Sequence, residues 1–115
     1  MAAPPRNKFE QKVNSPYGGH CYVIVHSNLS SQQKIVQAIH ASLEAAIAGL
    51  IQAHHPHLVL AEAPDLSCII DKLDFKGIKY ATFNDSDLGI GITAIATEPL
   101  FDNRRILSKL SLIGG

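Results

Sequence analysis

The sequence has few cysteines, no tryptophan, no net charge and no long apolar stretch. Two cysteines, Cys21 and Cys68, do not form the framework of a secreted disulfide-rich domain, so we expect reduced, buried thiols. Ten basic residues balance ten acidic residues, and no overall field therefore favours DNA or an anionic membrane. No apolar stretch approaches the roughly 20 residues that cross a bilayer, and the N-terminus lacks the apolar region of a signal peptide. We therefore predict a cytoplasmic protein that binds neither membranes nor DNA.

What the chain does contain is enough apolar sequence for one core. With 115 residues, of which 46% are hydrophobic, it suits a single compact domain. Residues 1–19 hold three prolines and end in two glycines, without a sustained hydrophobic period. We predict a flexible N-terminal arm over residues 1–19 and one folded domain over residues 20–113.

Hydrophobic periodicity and turn residues divide that domain into seven elements. Runs rich in apolar and β-branched residues predict strands, and apolar spacings of three and four predict helices. The order β-α-β-α-β-β-α indicates an α/β fold, a three-layer α/β/α sandwich with a mixed four-stranded sheet. The first strand should be central, and the last two should pair antiparallel. The predicted strands span 20–27, 58–63, 79–83 and 90–97, and the predicted helices span 31–51, 65–76 and 103–110, the first capped by Ser30 or Ser31.

The first predicted helix carries a stripe of polar residues. Gln33, Gln37, His40 and Glu44 recur at i, i+4, i+7 and i+11, so they stack on one face. We expect this stripe to be wet and the apolar residues of the helix to lie on the other side. The simplest interpretation of Gln33 and Glu44 is a solvated helix face. The simplest interpretation of His40 is a partly buried residue that hydrogen-bonds a backbone carbonyl. The residues that fall mostly on the other side are Ile35, Ala38, Ile39, Ser42 and Ala46.

Three short segments carry a family resemblance. The strand end Val25-His26-Ser27-Asn28-Leu29 is followed by Gln37-Ala38-Ile39-His40-Ala41, a Q-x-x-H-A pattern, and later by Ala94-Ile95-Ala96-Thr97-Glu98-Pro99. Together with the element order, these segments resemble the type II peptidyl-tRNA hydrolases over about residues 22–112. Three features depart from the family pattern. The turn between the strand end and the first helix is shorter and lacks the family's usual glycines. Gln33 stands where the family has a lysine, with Lys34 adjacent, and the segment after Asn84-Asp85 is abridged.

The resemblance implies hydrolysis of the ester that joins a peptide to the 3′ ribose of tRNA, without a cofactor. It assigns catalytic roles to Lys34, Gln37, His40 and Asp85. Asp85 would orient or activate water, Gln37 and Lys34 would supply donors to the oxyanion or hold the ribose, and His40 would orient Gln37 or move a proton. From its residues alone, Asp85 is most simply an Asx-turn residue. The resemblance also implies a homodimer.

Two other functions remain open at the level of sequence. The departures from the family pattern favour an inactive binding module for RNA, a peptide or a protein partner on the same fold. The third alternative is an oligomeric structural domain without a ligand.

Two motif-like segments receive a structural interpretation. His54, His55 and His57 fit no familiar zinc spacing, so we predict a polar loop and no metal site. Residues 89–94 fit G-x-G-x-x-A, but they open a predicted strand, whereas the dinucleotide-binding motif opens a helix. We expect Gly89 and Gly91 to serve a turn or bulge.

Overall fold

The computed structural model describes residues 18–52 and 54–113. Most of the predicted arm, residues 1–17, therefore lies outside the described residues. The last two residues of that arm are hydrogen-bonded to the domain. The Gly18 N–H donates to the His55 carbonyl, and the Gly19 carbonyl accepts from the His57 N–H.

The described chain forms an α/β domain with a mixed sheet and two α-helices. None of the helices within residues 18–52 and 54–113 is long and apolar enough to cross a membrane. The strands are β1 (His20–His26), β2 (His57–Ala63), β3 (Tyr80–Phe83), β4 (Ala94–Thr97) and β5 (Ser111–Leu112); the helices are α1 (Ser31–Ile47), α2 (Leu66–Phe75) and a 3-10 helix (Asp102–Leu107).

The sheet has the order β3-β4-β1-β2-β5. β1 is central, as predicted, and pairs in parallel with β2 and antiparallel with β4. The predicted antiparallel pairing of the last two predicted strands is confirmed between β3 and β4. The prediction of four strands is wrong, because β5 adds a fifth strand at the far edge through Ala61 and Glu62 of β2. A two-residue strand is too short to leave a periodic signal in the sequence.

Three other elements differ from the sequence predictions by more than one residue at an end. α1 ends at Ile47 instead of continuing to residue 51, because the chain turns at Gly49, whose φ is 78°. β4 begins at residue 94 instead of 90, since Gly89 and Gly91 have φ values of 66° and 82° that regular strands do not adopt. The last predicted helix is a short 3-10 helix without a side-chain cap.

Alternate residues of β1 enter two different core clusters. Tyr22 and Ile24 pack in a cluster that includes Ile69 and Leu73 of α2. Val23 and Val25 pack in a second cluster with residues of α1. Because successive side chains of a strand point to opposite faces, α1 and α2 cover opposite faces of β1.

α1 contacts the sheet through small side chains. Ala38, Ala41 and Ala45 are buried in the second cluster, against Ala94 and Ala96 of β4 and their neighbours. Their spacing of three and four places them along one line of the helix. Alanine brings the helix backbone closer to the sheet than a leucine or isoleucine would.

Large apolar residues of α1 remain outside this contact. Ile35, Ile39, Leu43 and Ile47 are 53% to 79% exposed. Ile35 and Ile39 therefore lie on the side of α1 away from the polar stripe without entering the core. The contact line runs through the alanines, and the isoleucines lie beside it.

Helix α1 begins with a capping box. The Gln33 N–H donates to Ser30 Oγ, and the Ser30 N–H donates to Gln33 Oε1, each at 3.2 Å. This arrangement satisfies two backbone donors at the helix start. It also gives Gln33, which stands at the position of the family's lysine, a local structural role.

Replacing Ser30 with Ala should lower the free energy of unfolding by about 1 kcal/mol, because the variant loses the cap acceptor. Denaturant titration measures the change. Ser31→Ala is the matched control, since Ser31 is the first helical residue and alanine suits that position. Equal losses in both variants would contradict the capping role of Ser30.

The two cysteines have different environments. Cys21 is buried in β1, where desolvation, with a contribution from Glu98, raises the pKa of its thiol to about 11. Cys68 is exposed, so the prediction that both thiols are buried is wrong for this residue. Thiolate, not thiol, is the reactive form.

At pH 8 we expect Ellman's reagent to modify one thiol per chain rapidly and the second only after unfolding. Cys21 stays a buried neutral thiol at that pH, because its pKa lies well above 8. Cys68→Ser should abolish the fast reaction. Two fast thiols in the native chain would contradict the burial of β1.

Candidate active site

One edge of the sheet collects the ends of four strands and the start of α1. β1, β2 and β3 run parallel, so their carboxyl ends meet at this edge, and the antiparallel β4 begins there. The α1 N-terminus follows β1 directly. Open α/β sheets bind their ligands at the carboxyl ends of their strands.

A row of four residues crosses the sheet near this edge. Val25 of β1 pairs with Glu62 on one side and with Ala94 on the other, and Ala94 pairs with Phe83 of β3. Residues paired directly across strands share a face. Val25, Ala94 and Phe83 belong to the α1 cluster, so the row lies beneath the helix. Lys34 contacts Glu62 at one end of this row and His40 contacts Phe83 at the other end, and Gln37 lies between them along α1.

Gln37 connects α1 to the segments on both sides of the β3–β4 connection. Its Nε2 donates to Asp85 Oδ2 at 2.9 Å, and its Oε1 accepts from Thr93 Oγ1 at 2.6 Å. The side chain is 1% exposed, and Thr93 is completely buried. The expectation that the whole polar stripe is wet is therefore wrong for Gln37. A buried amide in this position is stabilised by having both of its ends hydrogen-bonded.

The carboxylate determines which way the Gln37 amide points. An ionised Asp85 only accepts hydrogen bonds, so the NH2 end of the amide must face it. The carbonyl end then faces Thr93, whose hydroxyl donates to it. The same hydroxyl lies 3.1 Å from the Phe83 carbonyl, which also accepts from the Thr93 N–H at 2.8 Å. Thr93 is thereby held to β3 while it orients Gln37.

Asp85 is half-buried at the first turn after β3. Its Oδ1 accepts from the Asp87 N–H at 3.1 Å, which is the Asx turn indicated by the sequence. Its Oδ2 accepts from Gln37. Both carboxylate oxygens are therefore oriented, and each retains a further lone pair for a donor from solvent or substrate.

Lys34 has a partner on β2. Its ammonium forms an ion pair with Glu62, and the two side chains are 18% and 25% exposed. Glu62 lies on β2, whereas Asp85 follows β3, which is three strands away in the sheet order. The Lys34–Glu62 pair and the Gln37–Asp85 pair therefore lie at different strand ends of the same edge, and both are made from the first two turns of α1.

His40 lies one turn beyond Gln37 and contacts an aromatic ring. It stacks on Phe83 with ring centroids 4.3 Å apart and an angle of 9° between the planes. The imidazole is exposed on its other side. Phe83 precedes Asp85 by two positions in the sequence. His40 therefore lies at the rim of the same sheet edge.

The structure brings Gln37 and Asp85 into contact, and it adds residues that sequence reasoning missed. Thr93 carried no signal beyond its β-branched side chain within the predicted strand 90–97. Glu62 did carry one, because it is the only charged residue in the run Leu58–Ala63, where an unpaired charge is costly. A partner for Glu62 was therefore foreseeable, although its identity was not.

The histidines near β2 do not form a metal cluster. His20 and His57 have ring centroids 5.1 Å apart. Within residues 18–52 and 54–113, no group of three or more His, Cys, Asp or Glu side chains is placed to hold a metal ion.

Comparisons with known proteins do not identify a family. No protein-family model matches the chain, and no curated protein matches it significantly. The functional assignment therefore depends on the arrangement of residues at the sheet edge and on the motif resemblance.

Thr93→Val should lower the free energy of unfolding by about 1–3 kcal/mol, because it leaves the buried Gln37 carbonyl without its donor. Valine keeps the shape of threonine, so little packing is lost. Urea denaturation measures the effect. Thr82→Val, at a half-buried position of β3, is the control and should change stability little. A neutral Thr93→Val variant would contradict the orienting role of its hydroxyl.

Proposed function

We propose that this protein is a divergent peptidyl-tRNA hydrolase-like enzyme that cleaves the ester between a peptide and the 3′ ribose of tRNA. The observation that carries the proposal is the contact between Gln37 and Asp85. Gln37 belongs to the helix motif that resembles the family, and Asp85 is the acid of that resemblance, far away in sequence. Their contact lies at the sheet edge where α/β folds bind ligands.

In the proposed reaction, Asp85 accepts a proton from a water molecule as the water oxygen attacks the ester carbonyl carbon. The tetrahedral intermediate collapses with cleavage of the bond to the ribose 3′ oxygen. That oxygen takes the proton back from Asp85, and the products are tRNA and the peptide, whose new carboxyl group releases its remaining proton to solvent. A carboxylate in an oriented hydrogen-bond network suits the role of base.

Gln37 takes a positioning role in this scheme. Its amide is buried and hydrogen-bonded at both ends. The NH2 group fixes the position of Asp85, and the Thr93 hydroxyl fixes the position of the amide. Lys34 supplies a positive charge near the developing oxyanion or the terminal ribose. To do so, its ammonium leaves Glu62 and contacts the substrate. His40, exposed above Phe83, borders the site and contacts the substrate from the rim.

Two observations favour the second candidate, a catalytically inactive binding module for RNA, a peptide or a protein partner. Lys34 is already neutralised by Glu62, and Gln37 is withdrawn from solvent. An enzyme site would then have become a structural network that keeps the strand ends together. Catalysis distinguishes the two candidates directly.

The remaining expectations from sequence belong to the same proposal. They are the three-layer α/β/α arrangement, the cytoplasmic location and the homodimer. The opposite placement of α1 and α2 on β1 supports the layered arrangement.

Asp85→Asn should reduce the rate of peptide release from a peptidyl-tRNA by about a hundredfold or more, because an amide cannot accept the proton of the attacking water. Release of a labelled N-acetyl-aminoacyl group from tRNA, measured under single-turnover conditions, reports the chemical step.

Asp87→Asn is the matched control. It makes the same charge change two residues away at an exposed side chain, and only its backbone N–H contacts Asp85. Its rate should stay within about twofold of wild type. If Asp85→Asn released peptide as fast as wild type, Asp85 would not be part of the mechanism. If wild type and both variants released peptide only at the background rate, the binding module would be favoured.

A further inference from the structure

A cleft of about 290 Å³ lies at the carboxyl ends of β1 and β2, on the face of the sheet that α2 covers. We call it the α2 cleft. Its polar lining comes from His26, Asp65 and Ser67, and it includes none of the four residues of the proposed active site. Its walls are mainly aliphatic, with two side chains from α2 and two from the connection between β3 and β4. These are Leu66, Ile70, Ile90 and Ile92.

The α2 cleft lies where the connections of two neighbouring strands separate. β1 and β2 are adjacent and parallel, but α1 follows β1 on one face of the sheet and α2 follows β2 on the other. In open α/β sheets such a separation leaves a crevice outside the strand ends, and small ligands bind there. His26 is the last residue of β1, and Asp65 is the N-cap of α2, so both polar groups lie at this point.

His26 presents a hydrogen-bond donor to the cleft. Its Nδ1 accepts from the Asn28 N–H at 3.2 Å, so the proton of the neutral imidazole lies on Nε2. His26 shares the α2 face of β1 with Tyr22 and Ile24, because alternate residues of a strand point to the same side. None of the residues in 18–52 and 54–113 accepts a hydrogen bond from Nε2. The Nε2–H is therefore available to a carbonyl oxygen of a ligand.

Asp65 presents a carboxylate with one oxygen unused. Its Oδ1 accepts from the Ser67 hydroxyl and from the N–H groups of Ser67 and Cys68. The bond from the Ser67 hydroxyl, followed by the bond from the Cys68 N–H, lowers the pKa of Asp65, so the carboxylate is ionised at neutral pH. No donor in the described part of the chain reaches Oδ2. An anionic ligand would be repelled here, whereas an ammonium group would be attracted.

We infer that the α2 cleft binds the amino-terminal residue of a peptide. The α-ammonium contacts Asp65 Oδ2, the first carbonyl oxygen accepts from His26 Nε2, and an aliphatic side chain enters between the walls. One amino-terminal residue carries all three groups on adjacent atoms. The volume is close to the lower end of the range for small-ligand sites, about 300–1,000 Å³, which suits one residue better than a large cofactor.

Two features of the cleft favour a peptide over other carriers of an amino group. Asp65, Ser67 and Ile90 are exposed, so the cleft is open to solvent and the rest of a peptide can extend out of it. No lysine or arginine is among the described residues that line it, so it offers no cationic side chain to the phosphates of an aminoacylated RNA. The inference does not depend on the proposed hydrolysis, because its test contains no tRNA and measures no turnover.

The probe is the tripeptide Leu-Gly-Gly, titrated at neutral pH into the isotope-labelled full chain and followed by amide chemical shifts. We expect one site with a dissociation constant on the order of 0.1–1 mM, and the largest shifts at residues that line the cleft. The acetylated peptide should bind at least tenfold more weakly, because it lacks the ammonium charge. Gly-Gly-Gly should bind at least fivefold more weakly, because it buries no side chain. Absence of binding, or equal binding of the acetylated peptide, would overturn the inference.

Asp65→Asn should weaken binding of Leu-Gly-Gly by about tenfold or more. Asparagine caps a helix as well as aspartate does, so the variant keeps the start of α2 and loses only the charge. Asp71→Asn is the matched control, because it makes the same charge change at an exposed residue of α2 outside the cleft. Its affinity should stay within about twofold of wild type. Equal effects of the two substitutions would overturn the contact between the ammonium and Asp65.

Free leucine distinguishes a peptide from a free amino acid as the ligand. Its carboxylate stands next to the ammonium and is repelled by Asp65, so free leucine should bind several times more weakly than Leu-Gly-Gly. The same titration measures both ligands. Tighter binding of free leucine would overturn the assignment of the cleft to a peptide.

Discussion

The alanine contact between α1 and the sheet is the constraint on which the rest of this structure depends. Ala38, Ala41 and Ala45 let the helix lie close to β1 and β4. Close approach allows the short Gln37 side chain to reach past the sheet surface to Thr93 and Asp85. With bulky residues on this line, the helix would stand further from the sheet, and the amide would not reach both partners.

The same contact explains why so much apolar surface remains outside. Because α1 contacts the sheet through its alanines, its isoleucines and leucine do not take part in that contact. Ile35, Ile39 and Leu43 are more than half exposed, whereas the alanines beside them are buried. The helix therefore has three distinct sides: one packs on the sheet, one carries His40 and Glu44, and one is apolar and exposed. A hydrophobic pattern alone does not distinguish the first side from the third.

Local structure was predictable where local chemistry decides it. Ser30 caps α1, Asp65 caps α2 and accepts from the Ser67 and Cys68 N–H groups, and Gly77 follows α2 with a positive φ. The central position of β1 followed from its run of apolar residues. The fifth strand was not predicted, and the last helix was predicted over 103–110 instead of as a short 3-10 helix, because a two-residue strand and a short irregular helix depend on contacts with distant parts of the chain.

The sequence by itself determined the α/β class, the caps, the turn glycines and the residues that resemble a hydrolase motif. Each of these depends on a few neighbouring residues and their backbone preferences. The tertiary structure alone decided that Gln37 is buried, that Thr93 orients it, and that Lys34 pairs with Glu62. These contacts join residues 28 to 56 positions apart, and they exist because parallel strands bring their carboxyl ends to one edge beneath a closely packed helix.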